Sequence, residues 1–321
     1  MLSLGEHTLE SYAHIINVDR TILKLNPTIE KFGYEFIWVD ASEFEKDFSE
    51  ILNIPKNDKR KLTIMIGRES KGISHELHNS IVHTQILNPM FLNMEYPGII
   101  LLKRKSNFRI LGETMDFVIE NKELYNFNSF AKNLILQLRL YKIGEIRCTQ
   151  LFHISSTTRE ISFRKREIEI GSQGNYTLTD EEAKELSKRL VPKYEFNGLA
   201  ELAIKNFTIV YDLTDVQIRF ITLVTCLESL FNLGKGQIAH TIARHLSIVI
   251  SNNEEQFKKN YKQIKKLYNM RNSIVHGGKH KGDIIQDYLN LSNKVRLAID
   301  FCNIPEMTKE KLFEDLNSRG F

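Results

Sequence analysis

Two regimes of hydrophobic spacing divide the chain. In the first half, apolar residues come in short runs that end at Asp or Gly, which is the mark of β-strands. Tyr34-Glu35-Phe36-Ile37-Trp38-Val39 and Leu62-Thr63-Ile64-Met65-Ile66 are such runs; Ile99-Ile100-Leu101-Leu102 and Met115-Asp116-Phe117-Val118-Ile119 look alike. The period changes over residues 127–141, where Phe130, Leu134, Leu138 and Tyr141 recur at helical spacing behind a candidate cap, Ser129. Strand-like stretches return over 145–154 and 159–170, followed by a turn at Gly171-Ser172-Gln173-Gly174-Asn175.

Thr179-Asp180-Glu181-Glu182 then opens a helix that ends near Pro192. From about Ala200 the pattern is helical throughout. Helices are predicted from Thr214-Asp215 to Phe231, over 235–250, 254–275 and 283–302, with a short one over 307–316. Asn232-Leu233-Gly234, Ser251-Asn252-Asn253 and Gly277-Gly278 stop the first three. Antiparallel helices with short connections make a bundle. The expected fold class is therefore α+β, a mixed strand-rich N-terminal domain followed by an all-α bundle. There is no internal repeat, and the boundary falls between Gly171 and Gly198.

Composition narrows the class. With 321 residues, 42% hydrophobic and 26% charged, the chain suits two soluble domains. No apolar window is long enough for a membrane span and no secretory signal is evident. Cys148, Cys226 and Cys302 are odd in number and lack CxxC spacing, so neither a disulfide framework nor a zinc site is expected. A reducing, cytoplasmic setting fits. The formal charge of +4 resides wholly in residues 201–321, which carry 17 Lys+Arg against 13 Asp+Glu. Lys258, Lys259, Lys262, Lys265, Lys266, Arg271, Lys279 and Lys281 face only Glu254 and Glu255 in one stretch. Such a stripe suits a polyanion, although on charge alone a solvated helix face is the favoured reading.

The chemistry concentrates at Tyr268-Asn269-Met270-Arg271-Asn272-Ser273-Ile274-Val275-His276-Gly277-Gly278. Arg271 and His276, five apart, lie about 140° apart around a helix axis. The helix must end at the paired glycines, so His276 occupies the last turn and the long Arg271 side chain reaches the same region. Asn272 shares a face with His276. Histidine as a residue type moves protons near neutrality, and arginine grips phosphate with a forked donor pair. Together they suit cleavage of RNA by its own 2′-OH, which needs a base, an acid and a cation but neither metal nor cofactor. One chain supplies one such His; two chains on a two-fold axis supply two, so a homodimer with a shared site is expected. The bland alternative is a C-cap histidine with a surface arginine.

Arg-x4-His alone is a weak signal; Asn after Arg and Gly after His sharpen it. In this form the segment resembles the HEPN signature, most closely that of the ApeA-like branch. Arg219-Phe220-x6-Leu227-Glu228-Ser229-Leu230-Phe231 and Ile242-Ala243-Arg244-His245-Leu246 resemble the first two helices of that branch. The similarity covers roughly residues 213–302. It implies a dimerising helical bundle, metal-independent endoribonuclease activity and frequent use in anti-phage or stress defence. It also implies Arg271 and His276 as the catalytic pair, Asn272 as their polar helper, and Glu228 as the group that orients or neutralises Arg271. For Glu228 a plain interhelix ion pair is an equal reading. In HEPN toxins silenced by nucleotidyl transfer a tyrosine lies two residues after the His; here Gly278 stands there.

On this reading residues 191–321 form the ribonuclease domain, and residues 1–190 sense an unidentified phage or cellular trigger. Lys279, His280, Lys281, Lys265, Lys266 and Arg244 are the expected RNA contacts, with transfer RNA a plausible substrate by analogy alone. The main rival is an inactive HEPN scaffold or a nucleotide- or RNA-sensing module. Gly67-Arg68-Glu69-Ser70-Lys71-Gly72-Ile73-Ser74 has the glycine spacing of a phosphate loop but lacks its lysine. His75 and His78 could share a helix face and hold a metal, but spacing offers no third ligand, and with Glu76 and His83 they read as a surface or turn group.

Overall fold

The computed structural model describes residues 5–40, 62–64, 98–110, 116–155, 161–165, 176–232, 236–278 and 282–319. The glycine-spaced loop at 67–74, the histidines at 75–83 and the basic trio Lys279, His280 and Lys281 lie outside them. The chain forms two compact units and is an α+β protein. One unit comprises Met1–Ile135, Gly144–Ile168 and Gln173–Lys193; the other comprises Leu136–Ile143, Glu169–Ser172 and Tyr194–Phe321.

The first unit is built on a six-stranded sheet. Its strands are β1 (Gly5–Ile16), β2 (Glu35–Asp40), β3 (Leu62–Ile64), β4 (Gly98–Ile110), β5 (Arg147–Ser155) and β6 (Ile161–Lys165), in the order β2-β4-β1-β5-β6-β3. All neighbours are antiparallel except β3 and β6. β1 is interior and buried on both faces: Leu9, Ala13 and Ile15 on one, Tyr12 and His14 on the other. Polar groups in such a strand need partners. Ser11 Oγ and His153 Nδ1 lie 2.8 Å apart, and Thr149 Oγ1 and His14 Nδ1 2.9 Å apart.

Helix α1 (Asp116–Tyr141) packs Phe127 edge-on against His153 and Phe130 flat against Tyr34. It corrects two expectations. The run at 115–119 reads as a strand, but its described residues, 116–119, are the entry of this helix, because Glu120 to Glu123 are polar residues compatible with a helix and Leu124, Phe127 and Ala131 extend its period. Ser129 is consequently mid-helix; its carbonyl accepts from Asn133. Helix α2 (Asp180–Arg189) opens with a full capping box, Thr179 with Glu182.

Six helices after the boundary form the second unit's bundle: α3 (Gly198–Val210), α4 (Val216–Phe231), α5 (Ile238–Ile250), α6 (Glu254–Val275), α7 (Ile284–Cys302) and α8 (Lys309–Ser318). α4 is the axial helix and touches the other five. It buries Phe220, Leu223, Val224, Leu227, Leu230 and Phe231. Each such side chain contributes roughly 1.5–3 kcal/mol over its exposed state, far more than helix propensity supplies. Sequence-local caps set the starts: Asn197, Asp215, Asn253, Asp283 and Thr308 each accept a backbone N–H in the first turn. The end of α1 also belongs to this unit, where Arg296 Nη1 donates to the carbonyls of Leu140 and Tyr141. No described helix is long and apolar enough to cross a membrane.

Candidate active site

The C-terminal end of α6 carries the site, and glycine chemistry shapes it. Gly277 adopts φ +78°, a left-handed conformation that costs glycine little. Gly278 N–H donates to Ser273 O at 2.8 Å and Gly277 N–H to Ile274 O at 3.0 Å, the paired bonds of a Schellman stop. His276 is thereby the last residue before the chain turns, and it is exposed.

Arg271 lies one turn deeper, with its side chain 25% accessible. Its Nη2 is 3.6 Å from Glu228 Oε1, too far for a hydrogen bond but close enough for charge pairing from α4. Its Nη1 donates to Asn272 Oδ1 at 3.2 Å. Its Nε is buried and has no hydrogen-bond partner among the described residues. The guanidinium is thus steered from two sides, and among the described residues only one of its five N–H donors makes a hydrogen bond.

Glu228 is held in turn. Tyr268, three residues before Arg271 on α6, donates its hydroxyl to Glu228 Oε1 at 2.7 Å. Burial first, then the hydrogen bond and charge of Glu228, push the Tyr268 hydroxyl up to about 12, so it stays a donor at neutral pH. Tyr268 belongs to the recognised motif, but its partner lies 40 residues upstream and no local signal assigns it.

No family model matches this chain, nor does any curated protein or solved structure.

The structure therefore brings together Glu228, Tyr268, Arg271 and Asn272, with His276 at the following turn. Lys265 and Lys266 are exposed on α6, Lys265 with its ammonium 5.9 Å from the Tyr261 ring. Arg244 is placed differently from a free RNA contact. Its Nη1 donates to Leu316 O and Asn317 Oδ1 and its Nη2 to Arg319 O, so it closes the end of α8. Among the described residues no group of His, Cys, Asp and Glu is arranged to hold a metal ion.

Proposed function

We propose that the helical unit is a HEPN-type, metal-independent endoribonuclease and that two copies of the chain share its site. The observation that carries this reading is the joint placement of a steered arginine and an exposed histidine at one helix end. Arg271, held by Glu228 and Asn272, presents its remaining donors to a phosphate. His276 takes the proton from a ribose 2′-OH; the 2′ oxygen attacks the adjacent phosphorus, and the 5′ oxygen leaves with a proton from the second copy's histidine. The products are a 2′,3′-cyclic phosphate and a 5′-hydroxyl. Single-stranded loops are the natural target because in-line attack needs a pliable backbone.

Two features support a second copy. The acid and base roles require two imidazoles and the described site of one chain has one. Val275, in the last turn of α6, and Ile285, in the first turn of α7, are 49% and 45% exposed, and exposed apolar side chains suit a partner surface. The test is to incubate the full chain with transfer RNA in EDTA and analyse the new ends. Cyclic phosphate and 5′-hydroxyl termini support the proposal; 5′-phosphate termini would exclude 2′-OH attack.

A further inference from the structure

Within the bundle, the start of α5 and the end of α8 enclose a cleft of about 260 Å³. Its walls include His240, Thr241, Arg244 and His245 from one face of α5, and Phe313 and Asn317 from α8. Among the described residues no carboxylate lines it. Arg244 is the charged wall, and its contacts are with carbonyls and an amide, none of which neutralises it. Those bonds use Nη1 and one hydrogen of Nη2. Nε–H and one Nη2 hydrogen remain as donors for the oxygens of a phosphate.

The neighbouring groups are of matching character. His240 is exposed and bonds Tyr261 Oη through Nδ1 at 2.7 Å, which leaves its Nε2 side to the cleft or solvent. His245 is only 3% accessible, lies edge-on to Phe313, and meets Asn317 Oδ1 through Nε2 at 3.1 Å. Because that amide oxygen is only an acceptor, Nε2 carries the proton. The opposite nitrogen, Nδ1, is buried without a hydrogen-bond partner among the described residues. With the proton on Nε2 this nitrogen is a lone-pair acceptor, so it calls for a donor, which a water, a ligand hydroxyl or the P–OH of a monohydrogen phosphate supplies. The entry of α5 agrees: its N-cap is Gln237 at φ +44°, with no side-chain cap, whereas the other five helices of the bundle each have one. An uncapped helix start attracts anions.

We propose that this cleft binds a phosphate group borne by a small molecule, with the remaining Nε and Nη2 donors of Arg244 and the imidazole of His240 gripping its oxygens. The site goes beyond the nuclease reading, uses neither Arg271 nor His276, and stands or falls separately. It also gives Arg244 two roles at once, closing α8 and binding the anion, so that ligand binding tightens the α5–α8 contact.

The test is calorimetric titration of the full chain with inorganic phosphate and with adenosine monophosphate at constant ionic strength, on wild type, His240→Ala and Arg244→Lys. Circular dichroism checks the fold of each variant. Wild type should bind at one site per chain. Each variant should bind about tenfold more weakly, the loss of one charge-assisted contact. Equal affinity for the two probes identifies a bare phosphate site; tighter binding of the nucleotide extends the site to the nucleoside. Absence of saturable binding of either probe, or unchanged affinity in both folded variants, would overturn the proposal.

Discussion

Tyr268 donates to Glu228 Oε1 at 2.7 Å, and the same oxygen faces Arg271 Nη2 at 3.6 Å. One carboxylate oxygen thus links a neutral donor and a cation from successive turns of α6. Two substitutions separate these links. Tyr268→Phe removes only the hydroxyl and should cost about 1 kcal/mol of stability, with modest loss of cleavage. Glu228→Gln keeps the shape and removes the charge; cleavage should drop about tenfold while the melting temperature moves by only about 2 °C, since the pair is partly exposed. Thermal melts beside single-turnover rates check both. Full activity in Glu228→Gln would reduce the pair to scaffolding.

The stop of α6 predicts a position effect without any polar group. A Cβ on Gly278 would collide with the Ser273 side chain and lie 2.9 Å from the Ser273 carbonyl oxygen. Gly278→Ala should therefore displace the turn that places His276, abolishing cleavage with far-ultraviolet circular dichroism unchanged. Gly277→Ala meets no atom but must hold φ +78°, and should cost about 1 kcal/mol. Wild-type rates in Gly278→Ala would show that the turn does not set the site.

The shared site predicts that assembly and activity are lost together. Val275→Asp combined with Ile285→Asp places charges on two exposed apolar positions, one in the last turn of α6 and one in the first turn of α7. Sedimentation velocity should show a dimer for wild type and a folded, inactive monomer for the variant. A dimer that persists in the variant would locate the interface elsewhere.

The sheet predicts an acid sensitivity of its own. Burial holds the His14 and His153 imidazoles down to about 4. Their folded values lie below the unfolded one near 6.5, so the stability they contribute is complete above about 6.5 and falls as the pH drops towards 4, where the unfolded chain takes up protons that the fold refuses. The loss is on the order of 3 kcal/mol per histidine. Melting curves between pH 7 and 4.5 should fall steeply for wild type and less so for a His14→Asn, His153→Asn double variant. A flat wild-type profile would contradict the burial argument.

Legibility of the sequence followed the range of the interactions. The helix starts at Asp215, Asn253 and Asp283 were readable because each cap bonds within its own first turn. β1 was not, because Glu6, His7, Thr8, Glu10, Ser11 and His14 break its apolar alternation. Ser11 and His14 find their partners on β5, well over 100 residues away. The 115–119 run misled because a five-residue window shows β-type residues and hides the helical period that follows. At the site, Arg271, Asn272 and His276 were visible as a local motif and Glu228 through its resemblance; the Tyr268 bond to Glu228 and the closure of α8 by Arg244 were not, since each joins elements 40 or more residues apart.

The central claim is that Arg271 and His276 cleave RNA without metal. Purified full chain, incubated with total transfer RNA in EDTA beside Arg271→Ala and His276→Ala proteins, tests it most directly. The account predicts discrete cleavage by wild type and none by either variant; cleavage that persists in both variants would contradict it.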